Sequence, residues 1–160
     1  MFYSVEDFLD TLSKKTCIKR NFMKMIGYDT SLHTVIDQLK SALKYPPNGL
    51  PVILYGEKGS GKSLMCQKMF EYGQDAGIIP EQALLQKYKV LEQDMQLAEQ
   101  LLGTEVKKGL LEQCEGGILY LTQAQNLSKH DQQLLMRILE DGGFIRGGNR
   151  ITLRARIILS

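Results

Sequence analysis

Residues 50–63 read LPVILYGEKGSGKS, and this stretch decides the fold. Within it, residues 56–63 fit the pattern G-x-x-x-x-G-K-[ST] in full. The apolar run LPVILYG before the loop predicts a strand buried on both faces of a parallel sheet. The segment SLMCQKMFEYGQDAG that follows predicts an amphipathic helix that closes at a glycine. A strand, a glycine-rich loop and a helix in this order are typical of a phosphate-binding loop.

The loop has the residue types that phosphate binding requires. Its glycines let the backbone turn tightly, so that several amide N–H groups point at the phosphates. The helix that starts near Lys62 adds its positive end, the Lys62 ammonium would reach the β- and γ-phosphates, and the Ser63 hydroxyl would ligate Mg²⁺. We therefore predict an ATP or ADP site, with weakly held Mg²⁺, formed by Gly56, Glu57, Lys58, Gly59, Ser60, Gly61, Lys62 and Ser63. The alternative is a glycine-rich turn that binds nothing.

The composition is that of an ordinary globular domain. A chain of 160 residues suits one domain with a sizeable core, with or without a short arm. The net charge of +2 indicates no particular partner. Cys17, Cys66 and Cys114 lie far apart, which predicts reduced core thiols in a cytosolic protein. No apolar run approaches the roughly 18 residues of a membrane span, and the N-terminus lacks a signal-peptide pattern. We therefore expect a cytoplasmic protein without membrane contact.

The order of the predicted elements indicates an α/β layered domain behind a short arm. Residues 1–21 predict an N-terminal helical arm, and residues 22–160 predict the nucleotide-binding domain. A helix within MIGYDTSLHTVIDQLKSALKY has Thr30 or Ser31 as its candidate cap. The later elements are a strand near LLQKYKVL, a helix through DMQLAEQLL, a strand GILYL, a helix from Ser128 to the glycine pair at 142–143, a hairpin turn at GGN and a strand ARIIL. Strands that alternate with helices predict a mainly parallel sheet.

Several ordered segments match one known family in a single register. They are FMKMIGYDTSL, YPPNGLPVILYGEKGSGKS, LAEQLLG, KGLLEQCEGGILYL, QLLMRILEDGGFIRGGN and ARIIL. Through them, residues 22–160 resemble the N-terminal two-thirds of the AAA+ central domain of sigma-54-dependent transcriptional activators, the bacterial enhancer-binding proteins. YPPNGLP beside the loop, with MIGYDTSL upstream, is most similar to the LevR-like branch, whose regulators also carry phosphotransferase-system regulation domains.

The resemblance implies a P-loop NTPase (AAA+) three-layer fold with a mainly parallel sheet. By position it implies that Gly56, Lys62 and Ser63 hold the triphosphate, and that backbone around Ile26 and Gly27 helps to form the adenine pocket. Arg137 and Arg146 match arginines that the family keeps around the last helix and its turn. The chain stops at Ser160, so we expect the arginine finger, the helical lid subdomain and any helix-turn-helix to lie beyond it or to be absent.

The residues at 122 and 123 depart from the family, which places an Asp-Glu pair there. In the working enzymes the Asp helps to hold Mg²⁺ and the Glu activates the attacking water. Thr122 offers only a hydroxyl, and Gln123 can orient a water but cannot take its proton. Because a positioned general base contributes about 10²–10⁴-fold, we expect hydrolysis to be lowered by at least that factor. Slow turnover stays open, since some P-loop GTPases position water with a Gln.

The connection LLGTEVKKGLLEQ departs as well. Only TEVKK separates Gly103 from Gly109, where the family has a longer loop with the GAFTGA motif that touches sigma-54. We therefore expect no direct contact with sigma-54. Another copy of the chain or another AAA+ regulator subunit is the candidate partner, and we expect no DNA-binding module in this chain.

Three functional hypotheses remain. The first is nucleotide binding without efficient hydrolysis. The second is a slow ATPase in which Gln123 orients water and a partner subunit supplies an arginine. The third is an interaction scaffold that no longer needs nucleotide.

Overall fold

Strands and helices alternate along most of the chain. The computed structural model describes Phe22 and residues 25–160, and the predicted arm at residues 1–21 lies outside the described residues. The elements are α1 (His33–Lys44), β1 (Val52–Ile53), α2 (Lys62–Asp75), β2 (Leu85–Lys89), α3 (Leu97–Leu102), α4 (Leu110–Gln113), β3 (Ile118–Thr122), a 3₁₀ turn (Ala124–Asn126), α5 (Lys129–Asp141), β4 (Gly143–Arg146), β5 (Asn149–Thr152) and β6 (Arg156–Leu159).

The main sheet has four strands in the order β1-β6-β3-β2, and every pairing is parallel. Its register sets Lys87 beside Tyr120 and Tyr120 beside Ile158. Strands β4 and β5 form a separate antiparallel hairpin whose turn, Gly147 and Gly148, has positive φ at both residues. That turn needs glycine because its twist matches the strands only with left-handed backbone. The predicted mainly parallel sheet and the GGN turn are confirmed.

Strand β3 divides the core into two halves. Ile118 and Tyr120 face the cluster that α1 and α2 build, whereas Leu119 and Leu121 face the cluster built by α3, α4 and α5. The alternation follows from the two-residue period of a strand. Helices therefore cover both faces of the sheet, which confirms the predicted three-layer α/β architecture.

The boundaries of α5 follow from its end residues, as the sequence predicts. Ser128 is the N-cap, and its side chain accepts a hydrogen bond from the backbone N–H of Asp131 at 3.1 Å. The Asp131 carboxylate accepts in return from the Ser128 N–H at 3.3 Å, which completes a capping box. Gly142 ends the helix with left-handed backbone at φ 64°.

Two local predictions are wrong. The run LPVILYG contributes only Val52–Ile53 to the sheet, as an edge strand among the described residues. Val52 and Leu54 pack against the cluster of α1 and α2, whereas Ile53, on the opposite face, is 66% exposed, so β1 is buried on one face only. Helix α1 begins after Leu32, which makes no side-chain cap bond, so neither Thr30 nor Ser31 caps it. The turn before α1 delays the helix, since the Leu32 N–H donates to the Gly27 carbonyl at 2.9 Å.

The link between α3 and α4 is a tight turn. Gly103 and Lys108 form an isolated antiparallel bridge, and a Cβ on Gly103 would lie 2.4 Å from the Gly109 nitrogen. Glycine is required at this crossing because no larger residue leaves room for the two backbones. None of the helices that the structure describes is long and apolar enough to cross a membrane.

Leu119→Ala tests the position of β3 at the centre of the core. Leu119 is fully buried, so the substitution should lower the free energy of unfolding by about 2–5 kcal/mol. The matched control is Leu91→Ala, whose side chain is 55% exposed and which should change it by less than about 0.5 kcal/mol. Urea denaturation measures both, and equal losses in the two variants would contradict this core assignment.

Candidate functional site

A cleft of about 970 Å³ opens at the carboxyl ends of the parallel strands, beside the first turn of α2. Open parallel sheets bind ligands at this edge, because the loops that leave the strands converge there. The residues that line it are Ile53, Leu54, Tyr55, Gly56, Lys58, Gly59, Gly61, Lys62, Ser63, Leu64, Lys87, Lys89, Tyr120, Thr122, Gln123, Ala124, Gln125 and Ser160.

The glycines of the loop give it its shape. Gly59 and Gly61 have φ of 84° and 87°, a left-handed conformation that side chains other than glycine rarely adopt. A Cβ on Gly56 would lie 2.6 Å from the Ser60 Oγ. Gly61 is also the N-cap of the 14-residue helix α2, and it offers no side chain to cap the first amides. The amide N–H groups of that first turn have no acceptor within the helix, so they suit an anion.

Lys62 is folded over the start of the loop. Its Nζ donates to the carbonyl oxygens of Gly56 and Glu57, both at 2.7 Å. These bonds tie the first residues of the loop to the first turn of α2. A phosphate oxygen could replace either carbonyl, because the lysine stem is flexible and its ammonium has three donors.

A second set of side chains lies beside the loop, contributed by β2, β3 and the residue after β6. The Lys87 Nζ donates to the Ser63 Oγ at 3.2 Å and lies 5.7 Å from the centre of the Tyr120 ring. The Tyr120 hydroxyl shares a hydrogen bond with the Ser160 Oγ at 2.9 Å. Sequence reasoning missed these three residues. The strand register sets Lys87 beside Tyr120, and the packing of α2 on the sheet brings Ser63 to both of them.

Thr122 and Gln123 line the cleft together with the loop. The Thr122 hydroxyl donates to the Tyr88 carbonyl oxygen at 3.5 Å. Gln123 has left-handed backbone, φ 59° and ψ 43°, which costs a non-glycine residue roughly 1–2 kcal/mol. Its Oε1 accepts a hydrogen bond from the Gln125 Nε2 at 2.6 Å. Neither residue carries a carboxylate, so this end of the cleft holds no general base of that kind.

Four of the predicted site residues lie outside the cleft lining. Glu57 and Ser60 belong to the loop but do not line this cavity. Ile26 is 99% exposed, and Gly27, at φ 89°, turns the chain ahead of α1. The role of Ile26 and Gly27 in an adenine pocket stays a prediction.

The two arginines that the resemblance singled out differ in environment. The Arg146 guanidinium pairs with the Glu112 carboxylate and donates to the Leu102 carbonyl oxygen at 2.8 Å. It therefore joins the β4–β5 hairpin to α3 and α4. Arg137 is exposed on α5.

The charge of the cleft has one sign. Lys58, Lys62, Lys87 and Lys89 line it, and no Asp or Glu stands among the described residues of its wall. Clustered ammonium groups raise the local concentration of anions and favour their binding. A polyanion is therefore the class of ligand that this cleft suits.

The cysteines are remote from this chemistry. Burial raises the pKa of the Cys66 and Cys114 thiols to about 12 each. Both are buried and free of disulfide bonds, as the sequence predicts for core thiols, while Cys17 lies outside the described residues. Their thiols stay protonated at neutral pH and are poor nucleophiles.

A thiol-reactivity measurement checks this burial. At pH 8 a thiol with a pKa of about 12 is ionised to a fraction of about 10⁻⁴. In a Cys17→Ser variant, a chromogenic thiol reagent should therefore react far more slowly with the folded protein than with the urea-unfolded chain. Reaction at the rate of the unfolded chain under native conditions would contradict it.

Known proteins are similar to this chain in sequence and in fold. Residues 25–160 match the family described as the Sigma-54 interaction domain. The chain is 33% identical over 136 residues to the transcriptional regulatory protein LevR of Bacillus subtilis (strain 168), and 32% identical over 134 residues to the transcriptional regulatory protein DagR of Salmonella typhimurium. These matches cover 78% and 77% of this chain but only 14% of each relative.

A solved structure gives the same architecture. NtrX from Brucella abortus, in complex with ADP, matches with a TM-score of 0.66 at 23% identity, over 96% of this chain and 35% of that one. At this level of identity the likeness concerns the fold.

Proposed function

Because this chain belongs to the Sigma-54 interaction domain family, we propose that it is a regulatory AAA+ domain that binds ATP or ADP and hydrolyses it poorly or not at all. It acts in the cytoplasm as part of a transcription regulator, together with further copies of itself or with another AAA+ regulator subunit. LevR and DagR, to which it is similar, are described as transcriptional regulatory proteins.

The geometry of the loop carries the proposal. Left-handed Gly59 and Gly61 shape the loop ahead of the first turn of α2, and both line a cleft that four lysines also line. A nucleoside di- or triphosphate supplies the several negative charges that this wall requires. NtrX from Brucella abortus, which shares the fold, was solved with ADP and with ATP.

Weak hydrolysis follows from residues 122 and 123. A general base contributes about 10²–10⁴-fold, and neither side chain can remove a proton from water at neutral pH. Gln123 lines the cleft, so it could still orient a water, and this observation favours slow hydrolysis as the second candidate function. Its Oε1 already accepts from Gln125 at 2.6 Å, and a catalytic role would require that bond to break.

The lack of direct contact with sigma-54 belongs to the same proposal. The link between α3 and α4 spans residues 103–109 and is closed by the Gly103–Lys108 bridge. The Thr104 Oγ1 also accepts from the Lys107 N–H at 3.2 Å, which tightens the turn. A turn of this size leaves no extended loop with which to reach a partner.

Calorimetric titration of ATP and ADP, together with thermal melting, tests the binding. A ligand that binds only the folded state should stabilise it by about 2.7 kcal/mol at a hundredfold excess over Kd. Lys62→Ala should weaken binding by at least about tenfold, because it removes a charge-assisted hydrogen bond to the phosphates. Lys107→Ala removes an exposed lysine outside the cleft and should leave binding unchanged.

Three results would count against this function. If neither nucleotide changes the melting temperature nor releases heat on titration, the domain is a nucleotide-independent scaffold. If phosphate is released steadily and Lys62→Ala abolishes that release, the slow ATPase is correct instead. Equal weakening by Lys62→Ala and Lys107→Ala would mean that the nucleotide binds through general electrostatic attraction rather than in the loop.

A further inference from the structure

The Ser63 hydroxyl already has a cation beside it. The Lys87 Nζ lies 3.2 Å from the Ser63 Oγ and donates a hydrogen bond to it. Ser63 is the residue whose oxygen would ligate Mg²⁺ in a loop of this pattern. An ammonium and a magnesium ion on the same hydroxyl oxygen would repel each other at close range, so binding of one to the Ser63 Oγ disfavours binding of the other.

The surrounding residues do not fit magnesium either. Mg²⁺ prefers oxygen ligands in octahedral geometry and is usually held by one or two carboxylates together with the phosphates. Thr122 brings a neutral hydroxyl to the cleft, and the described lining includes no carboxylate. Across the part of the chain that the structure describes, no group of three or more His, Cys, Asp or Glu side chains could hold a metal.

Lys87 is held in place by the sheet. Its backbone pairs in register with Tyr120 on the neighbouring strand, and its ammonium lies over the Tyr120 ring. The Tyr120 hydroxyl is fixed in turn by Ser160. A cation over an aromatic face is attracted by the ring while its remaining donors stay available. Lys87 is exposed to the cleft, so a phosphate oxygen can reach it.

We propose that Lys87 takes the place of Mg²⁺, so that the cleft binds a nucleoside polyphosphate free of divalent metal and disfavours the magnesium complex. This inference rests on the proposed nucleotide binding and concerns the form of the nucleotide. The fully ionised ligand carries two more negative charges than its magnesium complex, and a wall with four lysines and no carboxylate favours the more negative form. Magnesium therefore acts as a competitor for the nucleotide.

Titration of ATP with EDTA and with excess Mg²⁺ tests the proposal directly. The wild-type protein should bind ATP in EDTA and bind it at least about tenfold more weakly in excess Mg²⁺, since one charge-assisted contact is lost and the ligand charge falls. Lys87→Gln should weaken ATP binding in EDTA by about tenfold. It should also narrow the difference between the ATP affinity in EDTA and that in excess Mg²⁺. Lys107→Gln makes the same change of charge outside the cleft and should behave like the wild type.

A double variant should reverse the preference for nucleotide without Mg²⁺. Lys87→Gln combined with Thr122→Asp removes the ammonium and adds a carboxylate at the end of β3, so this variant should bind ATP more tightly with Mg²⁺ than without it. Melting curves show whether each variant is folded. The comparison of ATP binding by the wild-type protein in EDTA and in excess Mg²⁺ does not depend on any variant.

The outcomes separate this inference from the proposed function. Tighter wild-type binding with Mg²⁺ than with EDTA would overturn the role of Lys87 while leaving nucleotide binding intact. Unchanged affinity of Lys87→Gln in EDTA would overturn it as well. An absence of binding in both conditions would remove the proposed function itself, and this inference with it.

Discussion

The two-sided pairing of β3 is the constraint on which the rest of the molecule depends. β3 is hydrogen-bonded to β2 and β6 in parallel, and its residues alternate between two buried clusters. Because β3 is hydrogen-bonded on both edges and packed on both faces, the position of its last residues is fixed. That position is at the cleft, where Tyr120 and Thr122 meet the loop that follows β1. The site is therefore a product of the sheet register as much as of the loop motif.

Local signals made much of this predictable from the sequence. The loop pattern, the Ser128 cap and the glycine turns each arise from contacts between residues close in the chain, and the structure and the family match confirm the fold they indicate. The burial of β1 on both faces was mispredicted, because an apolar run does not reveal whether other elements cover both faces of a strand. Lys87 was missed for a similar reason, since its partner Ser63 lies 24 residues away on α2 and only the packing of that helix on the sheet brings them together.

The charges of the cleft form a consistent set. On β2, Lys87 and Lys89 stand in register with Tyr120 and Thr122 of β3. A carboxylate at position 122 would face Lys89 across the strands and would attract either that lysine or a metal ion. With a hydroxyl there, the lysines keep their donors available and the wall stays positive. A neutral side chain at position 122 and an ammonium at position 87 thus have the same effect, because both keep the wall of the cleft positive.

The hydrogen bonds within the loop determine what ligand binding must replace. Left-handed Gly59 and Gly61 set the backbone, and Lys62 satisfies the Gly56 and Glu57 carbonyls. A phosphate that enters replaces hydrogen bonds that already exist, so the affinity measures the difference between the two sets rather than their full strength. That difference favours the ligand because the phosphate oxygens carry charge and the carbonyls do not. Binding by this route moves two lysine side chains, because Lys62 leaves the Gly56 and Glu57 carbonyls and Lys87 leaves the Ser63 hydroxyl.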